Sequence, residues 1–152
     1  MNREKGYTLI ETLVTMTLVL TLSASGLYGW QRWQQSQRLW QTASALRDYM
    51  LYLRSDANWH NVDRRLRLNR TAERWCMVAD DAVLTDCPAN NPAVFRPRWA
   101  EVEISKMTPN LAFYGLRNTA WAGSLVLSSV AGRWSVIVSG WGRVRLCEES
   151  TC

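Results

Sequence analysis

The chain has 152 residues, 47% hydrophobic and 20% charged, which excludes a disordered chain and makes one domain with its own core the default expectation. Its formal net charge is +5, carried by 16 Arg and only 2 Lys, a bias toward side chains that fork onto phosphate or carboxylate. A single histidine, His60, leaves no two-histidine metal site, and nine Trp supply more aromatic surface than a small core needs.

The first predicted element is a long apolar helix. Residues 9–30 carry one charge, Glu11, and residues 12–31 carry none. About 20 residues cross a hydrocarbon core, so this is a candidate span. It is mild, because Thr12, Thr15, Thr17, Thr21, Ser23, Ser25, Gly26 and Gly29 interrupt the apolar run. A cleaved secretory signal is the rival reading, with Ser23-Ala24-Ser25 as its cleavage site. Glu11, however, sits where the apolar region of such a signal should begin. A carboxylate near the bilayer centre costs about 2.5–3.5 kcal/mol on insertion scales and calls for a partner; the alternative is a Glu at the cytoplasmic interface that stays hydrated.

Lys5-Gly6-Tyr7-Thr8-Leu9-Ile10-Glu11 resembles the processing site of type IV prepilins and type II secretion pseudopilins. The resemblance implies that a prepilin peptidase cuts between Gly6 and Tyr7 and methylates the amine of Tyr7. Residues 1–6 would then be the leader. Glu11 would be the fifth mature residue, docking the subunit through a neighbour's N-terminal amine. Tyr7 replaces the commoner Phe and keeps an aromatic ring. The flanking charges, Arg3 and Lys5 against Arg32 and Arg38, are balanced. Orientation therefore comes from the resemblance: N-terminus cytoplasmic, single pass through the inner membrane lipid, head periplasmic, later in a pilus or pseudopilus.

Residues 31–55 contain neither Pro nor Gly, and Leu39, Ala43, Leu46, Met50 and Leu53 recur on one helical face. Trp33 and Trp40 extend that stripe. A helix from Thr8 to about Arg54 is near ~70 Å long at 1.5 Å per residue. Its second half, residues 31–55, is expected to pack on a head formed by residues 56–152.

Period-two alternation begins after Asn58. Arg65-Leu66-Arg67-Leu68 alternates, and Trp75-Cys76-Met77-Val78 is a short apolar run. Residues 80–92 read as a loop. Residues 94–99, 102–107 and 111–116 are short candidate strands, with Pro97 confining the first to an edge. Residues 124–130 and 133–139 form a hairpin, and Gly140-Trp141-Gly142 turns into residues 143–147. Residues 111–115, 125–127, 134–138 and 142–145 resemble the head of H-type minor pseudopilins and minor pilins. The implied fold class is α+β: a long N-terminal transmembrane helix, pilin-like, packed on a mainly β head of two small antiparallel sheets.

Four cysteines, Cys76, Cys87, Cys147 and Cys152, all follow the span, and an even count in an exported domain reads as two disulfides. Of the three pairings, Cys76–Cys87 and Cys147–Cys152 close the shortest loops. Neither spacing suits zinc or a thioredoxin-type site. No phosphate loop, nucleophile–base pair or ligand cluster is evident, so neither an enzyme nor a cofactor or metal is expected. Glu101 and Glu103 read as a solvated strand edge, and His60 as a surface or capping residue.

Arg65 with Arg67, Arg96 with Arg98, and Arg143 with Arg145 are spaced to share a strand face. Gly142-Arg143-Val144-Arg145 resembles a short motif of DNA-binding minor pilins in natural transformation systems. Paired Arg can fork onto phosphates while Trp141 stacks on a base. Three readings follow. One is a minor pilin that primes or caps a type IV pilus, with other minor and major pilins as partners, or its counterpart in type II secretion. The second is a pilus-tip subunit that captures DNA. The third is an unrelated single-span protein with an exported β domain.

Overall fold

The structure, a computed structural model, describes residues 8–71, 74–79, 87–88 and 90–148. The chain divides into two compact units, Met1–Gln34 and Gln35–Cys152. Helix α1 (Leu9–His60) contributes to both.

In the first unit α1 is exposed on every side. Leu9, Ile10, Leu13, Val14, Met16, Leu18, Val19, Leu20, Leu22 and Leu27 all stand in the open. A helix that is apolar all round buries itself in a membrane or among other helices. Near its N-terminus α1 has an unburied apolar stretch that is long and apolar enough to cross a membrane.

In the second unit α1 has one buried face: Leu39, Thr42, Ala43, Leu46, Met50, Leu53 and Ala57. This is the expected stripe continued by one turn. Trp33 and Trp40 do not extend it. They are 54% and 46% exposed, because Leu39 and Thr42 occupy the positions that face the core. The helix also runs on to His60 instead of stopping near residue 55. No breaker stands in residues 55–60, and the stop is made by Asn61, whose φ of 53° is left-handed. Val62 N–H then donates to the Ala57 carbonyl at 3.1 Å. This is a six-to-one helix ending with Asn in the position where Gly is commoner.

Among the described residues ten short strands follow: β1 (Arg64–Arg65), β2 (Arg67–Arg70), β3 (Trp75–Val78), β4 (Val94–Phe95), β5 (Glu103–Met107), β6 (Ala112–Tyr114), β7 (Thr119–Ala120), β8 (Gly123–Ser129), β9 (Gly132–Val138) and β10 (Val144–Glu148). All described pairings are antiparallel. They form three small sheets, ordered β1-β6-β7, β10-β9-β8-β5 and β2-β3-β4. The third sheet arises because Leu66 interrupts the alternating run. It is buried, its N–H donates to the Leu111 carbonyl at 2.8 Å, and the chain leaves β6 to pair with β3. The β8–β9 hairpin closes on Val130-Ala131, with Ser129 opposite Gly132.

The strand expected over residues 94–99 is only β4, residues 94–95. Pro97 is buried and cannot donate to a ladder, so Arg96 and Arg98 lie in irregular chain and share no strand face. Leu125 and Leu127 of β8, Val136 and Val138 of β9, Ile104, Met77 and Phe113 meet the buried face of α1 in one core. Each such side chain contributes about 1.5–3 kcal/mol by leaving water.

Candidate functional site

The helical part of the first unit contains six hydroxyl side chains between Thr12 and Ser25. Each of them donates back to its own helix. Thr12 reaches the Leu9 carbonyl at 2.8 Å, Thr15 that of Thr12 at 2.9 Å, and Thr17 that of Val14 at 2.8 Å. Thr21 reaches Leu18 at 2.9 Å, Ser23 reaches Val19 at 2.7 Å, and Ser25 reaches Leu22 at 2.9 Å. An unpaired hydroxyl in hydrocarbon is costly, and here every one has a partner within one turn. The mildness of the span is therefore only apparent. Composition shows the Thr and Ser; their spacing inside an unbroken helix was the signal for these bonds.

Glu11 lies in the first turn of α1, exposed, where the partial positive charge of a helix N-terminus favours a carboxylate. Gly6 and Tyr7 lie outside the described residues. At the other end of the apolar run Tyr28, Trp30 and Trp33 are exposed, and the Trp30 and Trp33 rings are 5.2 Å apart. Aromatic side chains at this position suit a membrane–water interface.

The head sorts its Trp residues. Trp75 is buried, and its indole N–H donates to the Val102 carbonyl at 2.7 Å. Trp99 and Trp134 pack partly buried against the core. Trp59, Trp121 and Trp141 stand out, at 83%, 52% and 81% exposed. Trp141 lines a shallow groove of about 370 Å³ together with Ile137, Ser139, Arg143 and Arg145. The Arg143 N–H donates to the Ser139 hydroxyl at 3.2 Å, which holds the turn into β10. Arg65 and Arg67 are exposed, but they end β1 and begin β2 in the other two sheets and do not line this groove.

Charged groups read as idle have partners. Glu101 stays exposed but lies in the turn before β5, and its carboxylate accepts from Arg38 of α1 at 2.9 Å. Asp56 accepts from Arg64 at 2.8 Å and lies 3.0 Å from His60 Nδ1, so the last turns of α1 are clamped to β1. The Arg38–Glu101 pair depends on the fold and leaves no mark in sequence spacing, whereas Asp56 and His60 stand at i,i+4 on one helix face. Tyr49 donates its hydroxyl to the Ala93 carbonyl at 2.6 Å. Burial, with Tyr52 adding to it and Arg64 opposing, holds the Tyr49 phenol well above the ordinary tyrosine range.

Cys76, fully buried in β3, is joined to Cys87, closing a loop of sequence separation 11. Cys147 is half-buried in β10, and Cys152 lies outside the described residues.

Residues 1–27 match the family described as the prokaryotic N-terminal methylation motif. No curated protein matches the chain. Among solved structures, the fold is similar to that of the minor pseudopilin EpsH from the type 2 secretion system of Vibrio cholerae. The TM-score is 0.52 at 13% identity, covering 73% of this chain and 97% of that one.

Proposed function

We propose that this chain, a pilin-like protein with a prepilin-type N-terminus, is a minor structural subunit that primes or caps a type IV pilus or a related secretion filament. One conjunction carries this reading: the methylation motif over residues 1–27 stands on the same chain as a fold similar to a minor pseudopilin. Either alone would be weaker. The motif occurs at the start of every kind of subunit that the peptidase processes, and a fold does not fix a function.

In this reading the peptidase removes residues 1–6 and methylates Tyr7. The span holds the subunit in the inner membrane with its head in the periplasm until assembly. Glu11 meets the N-terminal amine of a neighbouring subunit. The chain performs no catalysis and needs no cofactor. Its partners are the peptidase, other minor and major pilins, and lipid. A low copy number suits the exposed Trp59, Trp121 and Trp141, which serve contacts with a few different neighbours better than a surface repeated against itself. The test is stoichiometry in purified filaments: few copies per filament are expected, and a copy number like that of the main subunit would overturn the minor role.

A second reading, DNA capture, is favoured by the groove that gathers Trp141, Arg143 and Arg145. Two guanidinium groups beside an exposed indole suit nonspecific, salt-sensitive binding of a single strand. Arg143→Ala with Arg145→Ala would weaken retention of DNA at moderate salt. Equal retention by wild type and double variant would remove this reading.

A further inference from the structure

Among the described residues of the second unit, nine large apolar side chains stand exposed, and five of them occupy the segments that meet where α1 ends: Trp59, Val62, Leu116, Trp121 and Trp141. The contacts beneath them fix three segments to one another. Gly115 abuts the Ala57 carbonyl, and a Cβ on it would lie 2.8 Å from the Val62 nitrogen. The Asn118 side-chain oxygen accepts from Asn58 at 2.9 Å and from Arg54 at 3.3 Å. Ala120 N–H donates to the Gly140 carbonyl at 2.9 Å, and a Cβ on Gly142 would lie 2.9 Å from Arg54 Nε. The last turns of α1, the 115–121 segment and the 139–143 turn thus form one platform. Its apolar groups are exposed on a backbone that is already tied down, so little backbone order is lost when a partner covers them.

The charge around this platform is positive. Arg117 and Arg143 are exposed and form no ion pair among the described residues. Asp56 is held by Arg64, which leaves Asp63 as the exposed carboxylate. Trp and Arg together are the side chains that most often dominate a protein interface. Val62 and Leu116 offer nothing to a phosphate, which favours a protein partner over a nucleic acid. A second copy docked face to face would set Arg117 and Arg143 against themselves.

We infer that this end of the head docks the head of a different subunit of the same assembly, one presenting an apolar depression flanked by carboxylates. The inference rests on the subunit reading above. The platform is distinct from the Glu11 contact, so it selects a partner by head surface, not by the shared N-terminal helix.

The test places the photo-crosslinking residue p-benzoylphenylalanine at Trp59, at Leu116 and, as a control, at Val130, the exposed tip of the β8–β9 hairpin, in the full chain in its native host. From Trp59 and Leu116 a crosslink about tenfold stronger than from Val130 is expected. Its partner should prove, by mass spectrometry, to be a processed prepilin-type subunit with a net acidic head. Arg117→Glu should reduce that crosslink by about tenfold. A processed, filament-incorporated chain whose Trp59 and Leu116 crosslink no more than Val130, or crosslink to a second copy, to DNA or to a basic head, overturns the docking surface alone. A chain that is neither processed nor incorporated overturns the subunit reading, and this inference with it.

Discussion

The carbonyl of Ala57 accepts the N–H of Val62 at 3.1 Å and at the same time fills the space that a Cβ on Gly115 would need. The ending of α1 and the turn after β6 are thereby one joint. Gly115→Ala would press a methyl group onto two backbone segments that have no rotamer to change. A destabilisation of about 1–3 kcal/mol is expected. Urea unfolding should show it as a lowered midpoint with an unchanged slope.

Glu11 and Tyr28 are 17 positions apart on one helix, roughly 25 Å at 1.5 Å per residue. In the membrane-span reading, with Tyr28, Trp30 and Trp33 at one interface, Glu11 would lie close to the opposite edge of a hydrocarbon core of about 30 Å. It can stay hydrated in the bilayer and become enclosed only on packing among other helices. Glu11→Ala should therefore insert and be processed normally, yet fail to enter filaments. Immunoblots of membrane and sheared-filament fractions separate those two outcomes.

Processing gives a mass prediction. In a host with an active prepilin peptidase, the mature chain should begin at Tyr7 and carry one N-methyl group. Intact-mass spectrometry that finds residues 1–6 retained would refute it.

Cys76–Cys87 closes a loop of separation 11, for which the chain-entropy relation gives about 3 kcal/mol. Cys87→Ala should lower the unfolding midpoint accordingly. Non-reducing peptide mapping should also join Cys147 to Cys152; a Cys76–Cys147 peptide would contradict both pairings.

Tyr49 makes alkaline stability informative. Its folded-state phenol ionises later than the phenol of the unfolded chain, which titrates near pH ~10. The stabilisation is complete below that pH and is lost as the unfolded state gives up its proton first at higher pH. Tyr49→Phe should cost about 1 kcal/mol at neutral pH through the lost bond to Ala93. It should also flatten the decline of stability above pH ~10, read from denaturant midpoints across that range.

Periodicity sufficed for the parts whose burial is set by one element. The stripe from Leu39 to Leu53 and the β8–β9 hairpin follow from spacings of 3.6 and 2. What spacing could not convey depends on distant chain. The end of α1 at His60 is set by Asn61 in a left-handed conformation, a role that sequence reading looks for in Gly. Leu66 divides one alternating run between two sheets because Leu111 accepts its N–H. Arg143 and Arg145 could be paired with Trp141 from sequence, since all three lie within five residues. Arg65 and Arg67 share their composition but not their place.

The back-bonded hydroxyls from Thr12 to Ser25 bear on how such a subunit changes surroundings. A helix whose polar groups were satisfied by lipid-phase water or by neighbouring helices would have to exchange those partners each time it moved from bilayer to filament or turned about its axis. This segment takes its hydrogen bonds with it. In the subunit reading its transfer would be governed by shape and by the carboxylate of Glu11, while the six hydroxyls would slide, rotate and withdraw again without a polar penalty of their own at any intermediate depth.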